Sequence, residues 1–527
     1  MRLLLTASFL ALTLPAQDPA PVVRVFLLAG QSNMEGHGVV DLDDERDYNG
    51  GRGTLAAFLR EPANAAQWPG IRSTDGSWVV RDDVFVTYRP MHGPRKVGPL
   101  KVGYGPYEGW HHIGPEYGIG RVLGDRYAEP VLLVKTAWGG KSLFRDFRPP
   151  GAGGEVGPFY RQMLAEYREA LAGIATDHPQ LVGHRAQLDG VVWFQGWNDA
   201  CEQEATATYD RNLVHLVADL RAEFADPKLP FVVGETGNWD GEEFRTAQRR
   251  GCFDPAIAAN MRFVSTRRFL RPAAESPNTG HGHHWCGNAE SYLRIGDALG
   301  KAMAGLHAAR TPVAVPEGEN PQAWEKELAK LDATGMPPAR PIVFVGSSSI
   351  RGWKTLTEDM APMPVLNHGF GGSRIVDSVF WLDRLVARFD PSVVVVFAGT
   401  NDLAGKTPRP AKWVADRFDE LVARLRALGS DAQVCYVAIT PTPSRVEHLA
   451  LVREANALLA ARCAQDPSLH FVDTAAGMVT ADGQPDPKWF LKDMLHLNAE
   501  GYRHWTATLK PLLTGLHAAD ARGGATR

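Results

Sequence analysis

Short continuous apolar segments alternate with longer amphipathic ones along most of this chain, and the whole alternation occurs twice. A segment that is apolar at every position is typical of a β-strand buried on both faces, as in a parallel sheet covered by helices on each side. We therefore predict an α/β fold with two tandem three-layer α/β/α domains, each built on a parallel sheet.

The two halves give similar element lists. In the first half the predicted strands are 23–30, 130–137, 188–196 and 230–236, and the predicted helices are 115–126, 157–174, 205–224 and 288–306. In the second half the predicted strands are 341–346, 364–369, 392–399, 433–439 and 469–475, and the predicted helices are 375–389, 411–428, 446–464 and 498–515. Five parallel strands with intervening helices form a flavodoxin-like sandwich, whose functional site lies at the carboxyl ends of the strands.

Changes in composition suggest the domain boundaries. We predict a signal peptide over residues 1–20, a first domain over 21–310, a linker with a short helix over 311–338, a second domain over 339–518, and a tail over 519–527. The linker helix is expected to dock on the second domain. Residues 36–114 form a Gly- and Pro-rich excursion, and loops of this length usually carry function or cover a site.

The N-terminus and the charge balance narrow the location and the partners. Arg2 is followed by about a dozen apolar residues and then by Ala16, which predicts secretory cleavage near Ala16 or Ala20 and a secreted or periplasmic protein. The apolar stretch is too short to span a bilayer core of ~30 Å, so stable membrane insertion is not expected. The formal net charge is −4 and no long basic run occurs, which argues against nucleic acid as a partner.

Five cysteines occur, and none forms a C-x-x-C pair. Such sparse cysteines exclude a disulfide scaffold. One bridge among Cys201, Cys252 and Cys286 is left open.

Four polar blocks follow the apolar segments in the same order in each half. The order is a serine, a glycine pair, Gly-x-Asn-Asp and a late histidine. Acyl transfer through a serine needs a nucleophile, an imidazole that takes and returns its proton, and hydrogen-bond donors for the oxyanion. Both halves supply residues of these types, and no cofactor is required.

These blocks resemble those of the SGNH/GDSL hydrolase superfamily over nearly the whole mature chain. The first half, with Gly30-Gln31-Ser32-Asn33-Met34, resembles the sialate O-acetylesterase branch. The second half, with its serine block at 346–348, resembles GDSL-like acylhydrolases. The resemblance implies a serine esterase that removes O-acetyl groups from carbohydrates or hydrolyses other small acyl esters.

In the second half the resemblance implies a complete catalytic set. Ser348 corresponds to the nucleophile, although Ser347 stands where the family usually has aspartate. Gly372 corresponds to the backbone oxyanion donor and Asn401 to the side-chain donor. Asp493 and His496, three residues apart, correspond to the orienting acid and the base.

In the first half the set lacks one member. Ser32, Gly140, Asn198 and His284 correspond to the nucleophile, the two oxyanion donors and the base, but His281 stands where the family has the acid. Three alternatives are open: Glu290 or Asp199 turns inward, or a backbone carbonyl orients the imidazole. The third block, Gly-Trp-Asn-Asp, also departs from the Gln-Gly-Glu of many relatives.

Several tryptophans and several side chains of types that bind zinc lie near the catalytic residues of the first half. His281, His283, His284 and Cys286 are zinc-type ligands, but their crowding lacks the distant partner pair of tetrahedral sites, so we expect no metal. Trp138, Trp193, Trp197 and Trp285 adjoin the blocks and are consistent with a carbohydrate ester, although core packing accounts for at least Trp193.

Two other functions compete with the carbohydrate esterase. The second half also permits a lipid or lysophospholipid acylhydrolase. The missing acid also permits a degenerate first domain that only binds glycans. The sequence does not indicate an oligomeric state.

Overall fold

The apolar segments of each half of the chain form a separate β-sheet. The computed structural model describes residues 20–332, 335–405 and 407–523, so the predicted signal peptide lies almost entirely outside the described residues. Both sheets are covered by helices on their two faces, and the predicted α/β class is confirmed. Within the described residues, no helix combines the length and the hydropathy needed to cross a bilayer.

The first sheet has seven strands, and six of them run parallel. From one edge to the other they are Lys96–Pro99, Val84–Tyr88, Val131–Ala137, Val22–Gly30, Arg185–Phe194, Phe231–Gly234 and Met261–Val264. The edge strand Lys96–Pro99 pairs antiparallel with its neighbour. The excursion at 36–114 is therefore not only loop, because it contributes two strands to this sheet and also forms a small sheet of Gly38–Val39 with His112–Ile113.

The first domain has five long helices. They are Pro115–Arg126, Pro158–Ala172, Gln203–Glu223, Glu242–Cys252 and Ala289–Ala309. The last begins at the N-cap Asn288, whose side chain accepts the Ser291 N–H at 3.2 Å. This cap fixes where the helix starts, immediately after the segment that carries His284.

The second sheet has five strands, all parallel. Their spatial order is Val365–Gly369, Ile342–Gly346, Val393–Phe397, Gln433–Val437 and Leu469–Val472. Its longer helices are Ala411–Ala427, Leu449–Cys463 and Ala499–Ala521. The helix predicted over 375–389 is broken into Ile375–Phe380, Leu382–Leu385 and a 3₁₀ turn at Ala387–Phe389.

The connecting segment packs against the second domain. Its helix Glu325–Asp332 buries Leu328 in the second core. The Trp381 indole N–H donates to the Pro321 carbonyl at 2.8 Å, just before this helix. The buried Glu319 accepts from Arg374 at 3.0 Å and from Arg409 at 2.8 Å, so the segment is fixed by charge as well as by packing.

Ion pairs join the two domains. Arg268 of the first domain donates to Asp431 of the second at 2.8 Å. Asp390 of the second domain accepts the Ser265 N–H at 2.9 Å and the Arg340 guanidinium at 2.5 Å. The two domains therefore contact each other through charged side chains of the Arg268 and Asp390 regions.

The cysteines are unpaired. All five are free, with Cys201 exposed and the other four buried. The bridge left open among Cys201, Cys252 and Cys286 is therefore absent from this structure.

Candidate active sites

A tight turn presents Ser348 at the carboxyl end of a central strand. Gly346 ends the strand with φ of 144°, and a Cβ at this position would lie 1.9 Å from the Phe397 carbonyl oxygen. Only glycine fits such a close approach. Ser347 is extended, and Ser348 then begins the helix Ser348–Gly352, so the strand-to-helix turn is present.

The second domain brings a serine, a histidine and an aspartate into one hydrogen-bonded chain. Ser348 Oγ lies 2.8 Å from His496 Nε2. The other ring nitrogen, Nδ1, lies 2.7 Å from Asp493 Oδ2. With Nδ1 protonated toward the carboxylate, Nε2 is free to accept the serine proton.

Backbone groups of the turn at residues 493–496 orient the Asp493 carboxylate. Its Oδ1 accepts the backbone N–H groups of Leu495 and His496, each at 3.0 Å, while Oδ2 faces the imidazole. The hydrogen bond with His496 and these backbone donors lower the pKa of Asp493 to about 2. The carboxylate is therefore charged at any ordinary pH.

Gly372 and Asn401, the predicted oxyanion donors of the second site, each keep a free N–H hydrogen among the described residues. Gly372 has a left-handed φ of 87°, and among the described residues its N–H has no hydrogen-bond partner. Asn401 Nδ2 donates one hydrogen to the Ser373 carbonyl at 2.9 Å, which leaves its second hydrogen available. Arg445 donates to Asn401 Oδ1 at 3.2 Å and so fixes which way the amide points.

The aspartate of the Gly-x-Asn-Asp block has a supporting role. Asp402 is fully buried and accepts the Ile375 N–H at 3.2 Å, at the start of the helix that follows the glycine pair. Burial raises the pKa of Asp402 to about 7. Asp402 thus connects the block that carries Asn401 to the loop that carries Gly372.

Three aliphatic side chains are exposed near the second site. The side chains of Val446, Leu491 and Met494 are exposed beside the turn that carries Asp493. On another side, Trp324 of the connecting segment lies against Gly372, because a Cβ on that glycine would be 3.3 Å from the indole.

Ser32 occupies the same kind of turn in the first domain. It begins the short helix Ser32–Glu35, directly after the strand Val22–Gly30. Its side chain is mostly buried, with 7% exposure. Among the described residues, no hydrogen bond joins Ser32 Oγ to a histidine, in contrast to Ser348.

The oxyanion donors predicted for the first domain face open space. Asn198 Oδ1 accepts from Gln31 Nε2 at 3.0 Å, which leaves the Asn198 NH₂ group without a partner among the described residues. Gly140 has φ of 73°, and a Cβ there would meet nothing within 4 Å. The preceding Gly139 donates its N–H to the buried Glu35, which anchors the glycine pair.

The orienting acid sought for His284 is not supplied by either proposed residue. Glu290 is paired with Arg271 at 2.8 Å and with Arg294 at 2.7 Å. Asp199 is buried and accepts the N–H groups of Leu143 and Phe144 at 2.8 and 2.9 Å. Both alternatives are wrong, because each carboxylate already serves another part of the fold.

The third alternative, a backbone carbonyl, is also absent among the described residues. The His284 ring instead lies flat on the His37 ring, with centroids 3.7 Å apart and planes inclined by 8°. Burial, followed by the charges of the neighbouring His283 and His281, lowers the pKa of His284 to about 3. His284 is therefore neutral at physiological pH.

A cleft of about 640 Å³ opens beside the stacked histidines. Its wall includes Tyr107, His111 and Asn278 together with His37 and His284. Pockets of this size hold ligands larger than an acetyl group.

The aromatic side chains near this cleft differ from those expected. Trp138, Trp193 and Trp285 are buried in the core, as expected for at least Trp193, and of the four tryptophans only Trp197 is partly exposed. The exposed aromatic residues in this part of the fold are Tyr107, Trp110 and Trp239, and the Trp239 ring lies 5.9 Å from that of Trp197.

Comparison with known proteins finds a matching family model for each half of the chain. A family model described as "Carbohydrate esterase, sialic acid-specific acetylesterase" matches residues 22–304, more than half of the chain. The chain belongs to this carbohydrate esterase family. Residues 335–504 match a second model, described as "GDSL-like Lipase/Acylhydrolase family". The predicted resemblance of the two halves is thereby confirmed.

Individual relatives of this chain are distant in sequence. Platelet-activating factor acetylhydrolase IB subunit alpha1 of Rattus norvegicus is 27% identical over 232 residues, which cover 42% of this chain and 95% of that protein. A protein of Arabidopsis thaliana is 15% identical, covers 54% of this chain and 98% of its own, and has a TM-score of 0.35. A GDSL-like lipase of Bacteroides thetaiotaomicron is 22% identical, covers 37% of this chain and 98% of its own, and has a TM-score of 0.32.

Four residues near the candidate sites were not predicted from the sequence: His37, Tyr107, Trp324 and Arg445. His37 follows Ser32 by five residues, in Gly36-His37-Gly38, and a histidine between glycines so near the nucleophile was a usable signal. The other three come from the excursion, the connecting segment and a loop, and no spacing in the sequence relates them to a site.

Proposed function

We propose that the protein is a secreted serine esterase that removes O-acetyl or other short acyl groups from carbohydrates through a covalent acyl-enzyme. Membership of a carbohydrate esterase family already makes it a hydrolase of acyl esters. The observation that carries the serine mechanism is the chain from Ser348 through His496 to Asp493, with distances of 2.8 and 2.7 Å.

In the proposed reaction at the second site, Ser348 Oγ attacks the acyl carbon while His496 Nε2 takes its proton. Asp493 keeps the imidazole in the required tautomer and stabilises its positive charge. The negative oxygen of the tetrahedral intermediate accepts hydrogen bonds from the N–H groups of Ser348 and Gly372 and from the Asn401 amide. His496 then protonates the leaving alcohol, and water repeats the sequence to release the acid.

The first site is proposed to run the same reaction with Ser32, His284, Gly140 and Asn198. Its support for carbohydrate is the roomy cleft and the exposed Tyr107, since aromatic rings stack on the apolar faces of sugars. The glycan-binding alternative keeps the same cleft but assigns no turnover to Ser32.

A second candidate is favoured by one observation at the other site. The exposed side chains of Val446, Leu491 and Met494 near this site suit an apolar substrate better than a sugar. The related rat protein is named as an acetylhydrolase of platelet-activating factor. We therefore include a lipid acylhydrolase activity of the second site, with a rise in rate with acyl-chain length as its signature.

The experiment is acetate release by four proteins: wild type, Ser32→Ala, Ser348→Ala and the double variant. The substrates are p-nitrophenyl acetate, acetylated xylan and O-acetylated sialic acid. Partial activity in each single variant and none in the double variant supports two esterase sites. If Ser348→Ala alone abolishes turnover on every substrate, the first domain is a binding module. Full activity in the double variant contradicts the serine mechanism.

Secretion is a separate proposal that rests on the sequence of residues 1–20. Expression of the full chain in a bacterium, followed by fractionation and N-terminal mass analysis, tests it. A periplasmic or exported product that begins near residue 17 or 21 supports secretion, whereas an uncut cytoplasmic product contradicts it.

A further inference from the structure

Among the residues that the structure describes, the first site lacks the carboxylate that normally orients a catalytic imidazole. His284 forms no ring hydrogen bond to a carboxylate or a carbonyl within the described parts of the chain. Some other contact must hold the ring, because a base whose ring rotates freely meets the nucleophile in only a fraction of its orientations.

His37 supplies that contact. The two rings are nearly parallel at 3.7 Å, which is van der Waals contact over their whole faces. Rotation of His284 about its Cβ–Cγ bond would drive the ring edge into His37. Stacking therefore restricts the same side-chain torsion that a carboxylate–imidazole hydrogen bond restricts elsewhere.

His37 is itself held firmly. It is 7% exposed, and its Nδ1 lies 2.9 Å from the Tyr107 hydroxyl. The residue before His37 is Gly36, where a Cβ would lie 2.1 Å from the Gly114 Cα. The backbone beside His37 therefore has little room to shift. Burial, followed by the proximity of His284, holds the pKa of His37 well below its usual value, so both rings are neutral.

A buried lysine fixes the tyrosine that holds His37. Lys96 Nζ donates to the carbonyls of Gly103, Gly105 and Tyr107 at 2.8, 2.9 and 2.7 Å. The Lys96 ammonium group thus binds three carbonyls of one loop and holds that loop in place. The chain of contacts runs from Lys96 to Tyr107, from Tyr107 to His37, and from His37 to His284.

We propose that His37, held by Tyr107, is the positioning residue of the first active site and takes the place of the missing orienting acid. The inference rests on the proposed function of Ser32 and His284. It assigns His37 no contact with the reacting atoms, because it acts through the face of the His284 ring.

The test uses Ser348→Ala as the reference, so that only the first site turns over. His37→Ala, His37→Phe and Tyr107→Phe are added to this reference, and kcat and KM for p-nitrophenyl acetate are measured with the melting temperature. Phenylalanine keeps a flat ring that can stack but cannot hydrogen-bond. A second readout is the rate at which a fluorophosphonate labels Ser32.

The matched control is His307→Phe in the same reference. His307 is also partly buried in the first domain, and its Nδ1 lies 2.6 Å from the Tyr127 hydroxyl, but it contacts neither Ser32 nor His284. Its replacement is expected to change the melting temperature without changing kcat.

The expected result is a fall in kcat of about 10- to 100-fold for His37→Ala with KM little changed. His37→Phe restores most of this loss, Tyr107→Phe lies between the two, and the labelling rates follow the same order. A His37→Ala variant as active as its reference overturns the inference, and so does a His37→Phe variant as impaired as His37→Ala. An inactive Ser348→Ala reference instead contradicts the proposed function of the first site, and the inference with it.

Discussion

Replacement of Asp493 by asparagine is expected to silence the second site more completely than replacement by alanine. The reason lies in the two oxygens of the carboxylate. Oδ1 accepts two backbone N–H groups at 3.0 Å each, and Oδ2 faces His496 Nδ1 at 2.7 Å. In Asp493→Asn the amide oxygen must take the Oδ1 position, because an NH₂ group cannot face two donors.

The amide NH₂ of Asp493→Asn then points at His496 Nδ1 and forces this nitrogen to be an acceptor. The ring proton moves to Nε2, which faces Ser348 Oγ and can no longer take its proton. A wrong tautomer of this kind costs about 10⁴-fold in kcat. In Asp493→Ala no donor faces Nδ1, and because Asp493 is half exposed, water can enter and accept from the ring. The alanine variant should therefore lose less.

The assay is hydrolysis of p-nitrophenyl acetate by both variants in a Ser32→Ala background, which leaves only the second site. The pKa of Asp493 is lowered to about 2 by the His496 hydrogen bond, so the carboxylate is charged throughout pH 5–9 and its protonation does not confuse the comparison. Asp493→Asn activity equal to or above that of Asp493→Ala would refute the reasoning, and so would a loss below tenfold.

Three further predictions concern the same domain. Asn401→Ala in the Ser32→Ala background should lower kcat by about 10²–10³-fold with little change in KM, and an unchanged kcat would remove Asn401 from the oxyanion site. Gly346→Ala should prevent folding of the second domain, since its Cβ would lie 1.9 Å from the Phe397 carbonyl oxygen; a normal melting profile by calorimetry would contradict this. Burial raises the pKa of Asp402 in the folded protein to about 7. Folding therefore favours the protonated carboxyl, and the contribution of Asp402 to the free energy of unfolding that is present at pH 4 is lost as the pH rises through 7. This loss is roughly 4 kcal/mol, and denaturant titrations should find it in wild type but not in Asp402→Asn; parallel pH profiles for the two would contradict it.

The sequence predicted much of the parallel core because most positions in the central strands are apolar. Strands such as Val393–Phe397 and Ile342–Gly346 are buried throughout, and short apolar runs between amphipathic helices are typical of such strands. The serine–histidine–aspartate chain of the second site was also predictable, because Asp493 and His496 are near neighbours in sequence and the fold had to bring only Ser348 to them.

The rest depends on tertiary contacts that leave no sequence pattern. His37 meets His284 across almost 250 residues, and Lys96 orders its loop through backbone carbonyls, which every sequence has. Trp138 and Trp285 adjoin motif blocks yet face the core, because adjacency in sequence does not tell which side of a strand or turn a side chain occupies.

The most direct measurement of the central claim is a count of reactive serines. Wild type, Ser32→Ala, Ser348→Ala and the double variant are incubated with a fluorophosphonate and examined by intact mass spectrometry. Two adducts on wild type, one on each single variant and none on the double variant are predicted. An adduct that persists on the double variant, or esterase activity in a wild type that forms no adduct, would contradict a mechanism through Ser32 and Ser348.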